Sequence, residues 1–253
     1  MHHSERQRRI LSAARNAGYT DVAELVVELA VAPETIRRDL RILERRGLLR
    51  RTHGGAYPVE TARFETNLAT RTTRHLGEKR RVAMAAVERL GNARTIFIDE
   101  GFTPQLIAQA LPRDQPLTVV TASLGTAAVL THNPGVDVML LGGRVRGRTL
   151  ATVDFWGTEM LSELSIDLAF VGANGISLER GLTTPDPAVA EVKAQVIRAS
   201  QRRVFIGVHE KFGVYSFCRF ADVPDLEAIV TDAALSEAEA QRYMRVGPHV
   251  YRA

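Results

Sequence analysis

The sequence predicts an α/β protein in two unlike parts: an N-terminal winged helix-turn-helix and a C-terminal Rossmann-like α/β domain with a largely parallel sheet. Three observations predict it. A helical pattern over residues 33–45 sets an apolar stripe against an arginine stripe, the chain's excess positive charge sits in its first 58 residues, and from residue 80 onward short apolar runs alternate with helical patterns. The expected boundaries are residues 1–57 for the winged head, 58–79 for a linker and 80–253 for the second domain.

Arg6 to Ala17 reads as a first helix with Ile10, Leu11 and Ala14 inward, and Asp21 reads as the N-cap of a second helix ending near Leu29. Pro33 suits the first turn of a third helix, where its missing N–H would have no partner. Ile36, Leu40 and Leu43 then recur on one face, with Arg37, Arg38, Arg41 and Arg45 on the other. Guanidinium groups keep their charge at neutral pH and offer fixed donor forks that suit phosphate oxygens and the O6/N7 edge of guanine. Downstream, Gly47 to Ala56 holds two short extendable pieces and the pair Gly54-Gly55, the pattern of a β-wing lying along a phosphate backbone. Residues 1–58 hold eleven Arg and seven acidic residues, while the remainder holds 22 of each sign. An isolated arginine stripe is usually only a solvated face; the wing and the localised charge favour double-stranded DNA as the partner. Thr35, Arg37, Arg38 and Arg41 are the expected helix contacts, with Arg51 and His53 on the wing.

Glu5-Arg6-Gln7, Thr35-Ile36-Arg37-Arg38-Asp39-Leu40, Leu43-Glu44, Gly47 and His53-Gly54-Gly55-Ala56 together resemble the winged helix of the DeoR family of bacterial transcriptional regulators. Ala32 stands where that family usually has a serine N-cap, a loss of about 1 kcal/mol at the helix start.

In the second part, Thr95–Ile98, Leu117–Val120, Val136–Leu141, Leu168–Val171, Val204–Ile206 and Ala228–Val230 are strand-like. Helices are expected near Arg81–Leu90, Pro104–Leu111, Leu124–Leu130, Thr158–Leu164 and Pro187–Ser200. Ligands of such sheets bind beyond the carboxyl ends of the strands. Those ends read Asp99-Glu100-Gly101-Phe102-Thr103, Thr121-Ala122-Ser123, Gly142-Gly143-Arg144 and Gly172-Ala173-Asn174-Gly175. Each alone is an ordinary cap or turn; four on one sheet edge point to an anion site in which Asp99, Gly101, Thr103, Thr121, Ser123, Gly142, Gly143, Arg144 and Asn174 are candidates. Lysine usage adds a clue, because the chain has 30 Arg but only Lys79, Lys193 and Lys211. Lys193 and Lys211 are expected to face the crevice, Lys79 the surface or a structural contact.

The run Asp167 to Gly175, then Gly181-Leu182-Thr183-Thr184, Val192-Lys193, His209-Glu210-Lys211-Phe212-Gly213 and Val230-Thr231-Asp232 extends the resemblance to the family's C-terminal sensor domain. That domain is related to the ribose-5-phosphate isomerase fold, and the resemblance implies a phosphorylated sugar effector. Three loops depart from the family pattern. Phe102 replaces the first of two hydroxyl residues, Ala122 stands where Asn is usual, and Val208-His209-Glu210-Lys211 replaces Asp-His-Ser/Thr-Lys, so that Glu210 is expected to repel a phosphate unless a neighbouring Arg pairs with it.

A single cysteine excludes an internal disulfide and a cysteine-based zinc cluster, and seven scattered histidines lack metal-ligand spacing, so no metal or cofactor is expected. No long apolar run and no leader pattern occurs, which predicts a cytoplasmic protein without a membrane partner. The resulting expectation is a non-enzymatic repressor of a sugar-metabolism operon, relieved by a sugar phosphate and acting as a homodimer or homotetramer on repeated half-sites. Two alternatives stand beside it: a sugar-phosphate isomerase-like enzyme with a DNA-binding appendage, and a DNA-binding regulator with a vestigial sensor.

Overall fold

The computed structural model describes residues 3–17, 19–45, 48–52, 54–58 and 74–253. It divides into two compact units, Met1–Thr66 and Asn67–Ala253. The expected wing residue His53, Gly47 and most of the expected linker lie outside the described residues.

The first unit packs α1 (His3–Ala17), α2 (Val22–Leu29) and α3 (Pro33–Arg45) around Ile10, Leu11, Ala14, Leu25, Ile36, Leu40 and Leu43. The inward residues are those the periodicity names. Asp21 caps α2 by accepting from the Ala23 and Glu24 amides at 2.6 and 3.4 Å. The wing forms from β2 (Leu49–Thr52) and β3 (Gly55–Pro58), and β3 also pairs with the two-residue β1 (Thr20–Asp21). Here glycine is obligatory, because a Cβ on Gly55 would fall 2.2 Å from the Tyr19 hydroxyl and 2.3 Å from the Thr20 carbonyl oxygen.

Asp39 lies in the α3 motif yet points away from the arginine stripe. Its carboxylate is fully buried, accepting from Arg6 Nε and, at 3.0 Å, from Gln7 Nε2. This ion pair ties α3 to α1 and fixes which face of α3 is presented outward.

The second unit is built on a seven-stranded, wholly parallel sheet. In chain order its strands are β4 (Thr95–Ile98), β5 (Leu117–Thr121), β6 (Val136–Leu140), β9 (Ile166–Val171), β12 (Ser200–Ile206), β14 (Ala228–Thr231) and β15 (His249–Arg252); their spatial order is β15-β14-β12-β9-β4-β5-β6. Helices 76–87 and 102–110 cover one face over Val82, Ile96, Ile107 and Phe170. Helices 155–162, 187–199 and 237–244 cover the other over Leu161, Phe97, Val196, Phe205 and Tyr243. The second face also carries a small antiparallel sheet of β10 (Gly175–Ser177), β11 (Gly181–Thr184) and β13 (Cys218–Ala221), and a hairpin joins β7 (Arg144–Arg146) to β8 (Ala151–Val153). The first helix of this unit runs Leu76–Val87, beginning five residues before the expected Arg81, inside the stretch assigned to the linker.

Removing Asp39 leaves the Arg6 guanidinium buried without its counter-charge, a change that costs about 3–5 kcal/mol in comparable buried pairs. Asp39→Ala is therefore expected to melt the head at a markedly lower temperature, read by thermal unfolding followed by circular dichroism. A melting temperature equal to that of the wild type would reject this role.

Candidate functional site

The site lies beyond the carboxyl ends of three adjacent strands, β12, β9 and β4, where parallel topology directs all the following loops to one edge. A cleft there is lined by Lys79, Glu100, Gly101, Phe102, Thr103, Pro104, Gly172, Ala173, Asn174, Lys193, Ile206, Gly207, Val208 and Lys211. All three lysines of the chain are in this lining.

Asp99 organises the floor. It is 2% exposed; its Oδ1 accepts from the Glu100 amide and its Oδ2 from the Gly172 amide, each at 2.8 Å. The same Oδ2 pairs with the Lys193 ammonium, which also donates to the Gly172 carbonyl at 3.1 Å and lies 3.9 Å from Glu100 Oε1. Burial pushes the Asp99 carboxyl above its ordinary value and outweighs the opposing charge of Lys193; the neighbouring Glu100 carboxylate adds to the rise. Lys193 is thus engaged with protein groups on the cleft floor.

The walls carry the other two cations. Lys79 donates to the Arg74 carbonyl at 2.7 Å and lies 5.9 Å from the centre of the Phe102 ring. Lys211 ends the short 3-10 turn His209–Lys211, which Asp232 anchors by accepting from the His209 amide at 2.7 Å and pairing with its Nδ1 at 2.8 Å. Between these cations the N-terminus of helix 102–110 opens into the cleft through Gly101, Phe102 and Thr103. Its first amides lack intrahelical acceptors and carry partial positive charge. Gly101 has φ +116°, a conformation that favours glycine. Asn174 Oδ1 accepts from the Thr184 hydroxyl at 3.2 Å.

Glu210 does not stand as the uncompensated carboxylate its sequence position suggests. It pairs with His75 Nε2 at 2.9 Å and Arg74 at 3.4 Å. Burial alone would raise its carboxyl; the hydrogen bond from His75 and the charges of Arg74, His75 and Lys211 outweigh that and hold it below the ordinary value. The expected repulsion of an anion is neutralised within the fold.

Of the effector candidates read from sequence, Gly101, Thr103, Asn174, Lys193 and Lys211 line the cleft, with Asp99 beneath it. The loops after β5 and β6 do not join them. Thr121 is fully buried and donates to the Ile98 carbonyl at 2.7 Å, and Ser123 caps helix 124–130 through the Thr126 amide. Gly142 donates to Met160 Sδ at 3.4 Å; a Cβ on Gly143 would fall 2.1 Å from the Val153 carbonyl oxygen; and Arg144 is exposed and paired with Asp154 at 2.9 Å. Sequence reasoning set Lys79 apart from the site. The signal that would have found it is the lysine count itself.

On the head, Arg37, Arg38, Arg41 and Arg51 are exposed and Thr35 is half-buried at the start of α3. Arg37 pairs with Glu34, and the Arg51 amide donates to Glu44 Oε1 at 3.0 Å, joining the wing to α3. Among the described residues no group of three or more His, Cys, Asp or Glu side chains is arranged to hold a metal ion, and no helix is long and apolar enough to cross a membrane.

Comparison with known proteins matches residues 6–62 to the DeoR-like helix-turn-helix domain and residues 74–233 to the DeoR C terminal sensor domain. The HTH-type transcriptional regulator GlpR of Haloferax volcanii is 34% identical over 232 residues, covering 92% of this chain and 91% of that protein. The glycerol-3-phosphate regulon repressor of Escherichia coli is 30% identical over 233 residues, covering 92% of each chain. Among solved structures, ribose 5 phosphate isomerase A from Neisseria gonorrhoeae aligns over 53% of this chain and 52% of its own with 19% identity and a TM-score of 0.38.

The His209–Asp232 pair generates a pH prediction. The hydrogen bond to Asp232 raises the His209 pKa above 6.5 against the opposing effect of burial, helped by the charges of Asp232, Glu210 and Glu78. For Asp232 burial acts upward, but the hydrogen bonds and charge of His209 hold it below 3.8. The folded His209 binds its proton more tightly than the unfolded chain, so its stabilisation is complete below pH 6.5 and is lost as pH rises through the folded value. Asp232 contributes above pH 3.8 and loses that contribution as pH falls through its lower folded value. Asp232→Asn is expected to return the His209 titration, followed by NMR, toward the free-imidazole range. A folded variant with unchanged titration would rule the pairing out.

Proposed function

The chain belongs to the DeoR family of transcriptional regulators, and from that membership we propose that it is a repressor of a sugar-metabolism operon whose grip on operator DNA is released by a small phosphorylated sugar or polyol. The observation that carries the proposal is the gathering of Lys79, Lys193 and Lys211 around one cleft in a chain that otherwise uses arginine for every cation. An ammonium is a compact, strongly hydrated charge that fits into a confined site where a planar guanidinium does not. Lys79, Lys211 and the amides at Gly101 to Thr103 supply the charge and donors a phosphate needs. Glu100 and Asn174 offer oxygens suited to hydroxyl groups, and Phe102 and Val208 favour carbon skeleton over further charge.

The names of the relatives support a phosphorylated effector, since one is a glycerol-3-phosphate regulon repressor. The head supports DNA as the partner: α3 presents Arg37, Arg38 and Arg41 outward, and Arg51 extends the basic surface onto the wing. We assign residues 1–57 to DNA reading, 58–79 to the connection and 80–253 to sensing, with the first sensor helix entering the connection at Leu76. The regulator works in the cytoplasm, needs no metal or cofactor and performs no turnover.

Release of DNA requires the effector to favour one arrangement of the heads over another. Glu210 supplies a route. It sits beside Lys211 on one 3-10 turn and pairs with Arg74 and His75, the residues at which the chain enters the sensor unit. Movement of Lys211 toward an anion is transmitted to that entry point.

Fluorescence anisotropy of the full chain on its own upstream intergenic DNA, at fixed salt, tests the reading when titrated with sugar phosphates and glycerol 3-phosphate. One compound is expected to release the DNA. Lys211→Ala removes a charged hydrogen bond of about 1.5–3 kcal/mol, so it should raise the half-effective concentration at least roughly tenfold while leaving operator affinity intact. Release by no compound of the panel would leave the sensor vestigial, and mutation-sensitive turnover of a sugar phosphate would replace the regulator by an enzyme. Arg38→Ala is expected to weaken operator binding by roughly 1–3 kcal/mol if it reads a base edge. Unchanged affinity in the folded variant would remove it from the interface.

A further inference from the structure

The described surface carries an apolar patch that neither the cleft nor the head accounts for. Among the described residues, half of the fourteen large apolar side chains most open to solvent fall within residues 139–160. They come from three consecutive elements: the edge strand β6 with Met139 and Leu140, the 144–153 hairpin with Val145 and Leu150, and helix 155–162 with Phe155, Trp156 and Met160. Met139, in register with Val120, shares the sheet face that helix 155–162 covers, whereas Leu140 follows Val136 and Val138 on the opposite face. Met160 Sδ accepts from the Gly142 amide at 3.4 Å, a Cβ on Gly142 would lie 3.7 Å from the Trp156 Cβ, and the Phe155 and Trp156 rings meet edge to face with centroids 5.7 Å apart. Trp156, the only tryptophan of the chain, is 68% exposed and Phe155 is 62% exposed.

Burying an aromatic side chain hides about 150–250 Å², so these two leave roughly 250–300 Å² uncovered between them. With Met139 and Met160 on the same face they reach the size of the largest apolar patch on an ordinary monomer, about 300–600 Å², and supply roughly half of one partner's share of a standard interface, about 800 Å². The rim carries both signs, Asp137, Asp154 and Glu159 against Arg144 and Arg148, so no single-signed field opposes self-association. An apolar centre with a mixed rim is self-complementary, as a two-fold contact requires.

We propose that this face is the surface through which a second copy of the chain docks, bringing Phe155 and Trp156 of each protomer to the centre of a two-fold interface. The choice of a second copy rests on the DNA-reading role proposed above, because helix-turn-helix heads read paired half-sites as dimers. The patch lies outside the cleft at the sheet edge: β6 is the outermost strand, and β5 separates it from β4, the last strand that borders the cleft.

The single tryptophan makes the test direct. Sedimentation velocity of the wild-type full chain gives its mass, and acrylamide quenching with the emission maximum of Trp156 reports its exposure over the same dilution series. Expected are a dimer or larger at micromolar concentration, a shielded Trp156, and a red-shifted, readily quenched Trp156 when dilution yields monomer. Phe155→Asp, which keeps the fluorophore, is expected to weaken association at least tenfold. An oligomer with freely quenched Trp156 would place the interface elsewhere. A monomer overturns the proposal whether Trp156 is exposed or is shielded by its own chain. Operator anisotropy on the same samples separates the two readings: DNA binding with an exposed Trp156 removes only the interface, and a Trp156-shielded oligomer without operator affinity removes only the DNA-reading role.

Discussion

The cleft exists in its present form because one buried carboxylate joins three elements. Asp99 holds the Glu100 amide after β4, the Gly172 amide after β9 and the Lys193 ammonium on helix 187–199. Each contact answers a different demand. The amides fix the two loops against each other, while Lys193 compensates a charge that burial would otherwise make costly. Asp99 is 2% exposed, and that burial outweighs these contacts and holds its carboxyl above the ordinary value. Removing either partner would leave the other charge buried, so the pair enforces a single geometry.

Lys193 is engaged on the floor with Asp99 and lies near Glu100, whereas Lys79 and Lys211 stand on the walls together with the amide end of helix 102–110. The cleft therefore combines a polar floor with a cationic rim. That arrangement suits a ligand having hydroxyls at one end and phosphate at the other, and the substitution of Phe102 for a family hydroxyl residue makes the wall beside Lys79 apolar.

The parallel core was legible in sequence because strands buried on both faces are continuous apolar runs, as in Thr95–Ile98 and Leu168–Val171. The short strands were not. Gly175–Ser177 and Gly181–Thr184 are wholly buried yet rich in Gly, Ser and Thr, and their burial comes from the helix and strand packed on them, which no local period encodes. In the head, periodicity identified the inward stripe of α3 but not Asp39, a charged residue that is buried only because Arg6 and Gln7, more than thirty residues earlier, reach it. The cleft divided in the same way. Strand-end loops pointed to the edge at which the cleft opens, but they could not tell β12, β9 and β4, which border it, from β5 and β6, which lie toward the other end of the sheet.

Glu210 shows how the charge at a departure from a family pattern depends on partners that lie far away in the sequence. Read alone, a carboxylate beside Lys211 opposes an anionic ligand; in the fold its charge is taken up by Arg74 and His75, from the start of the sensor unit. The substitution thus exchanges a small polar side chain for a tether between the Lys211 turn and the point where the chain arrives from the head. Lys79 lies one turn beyond His75 on helix 76–87, so the two wall cations belong to the two segments that Glu210 joins. Under the proposed reading, an anion drawing Lys79 and Lys211 together acts on the same pair of segments from the cleft side. A coupling of 1–3 kcal/mol between ligand and DNA, about the size usual for allosteric proteins, then requires only that this joint have two arrangements that differ by as much.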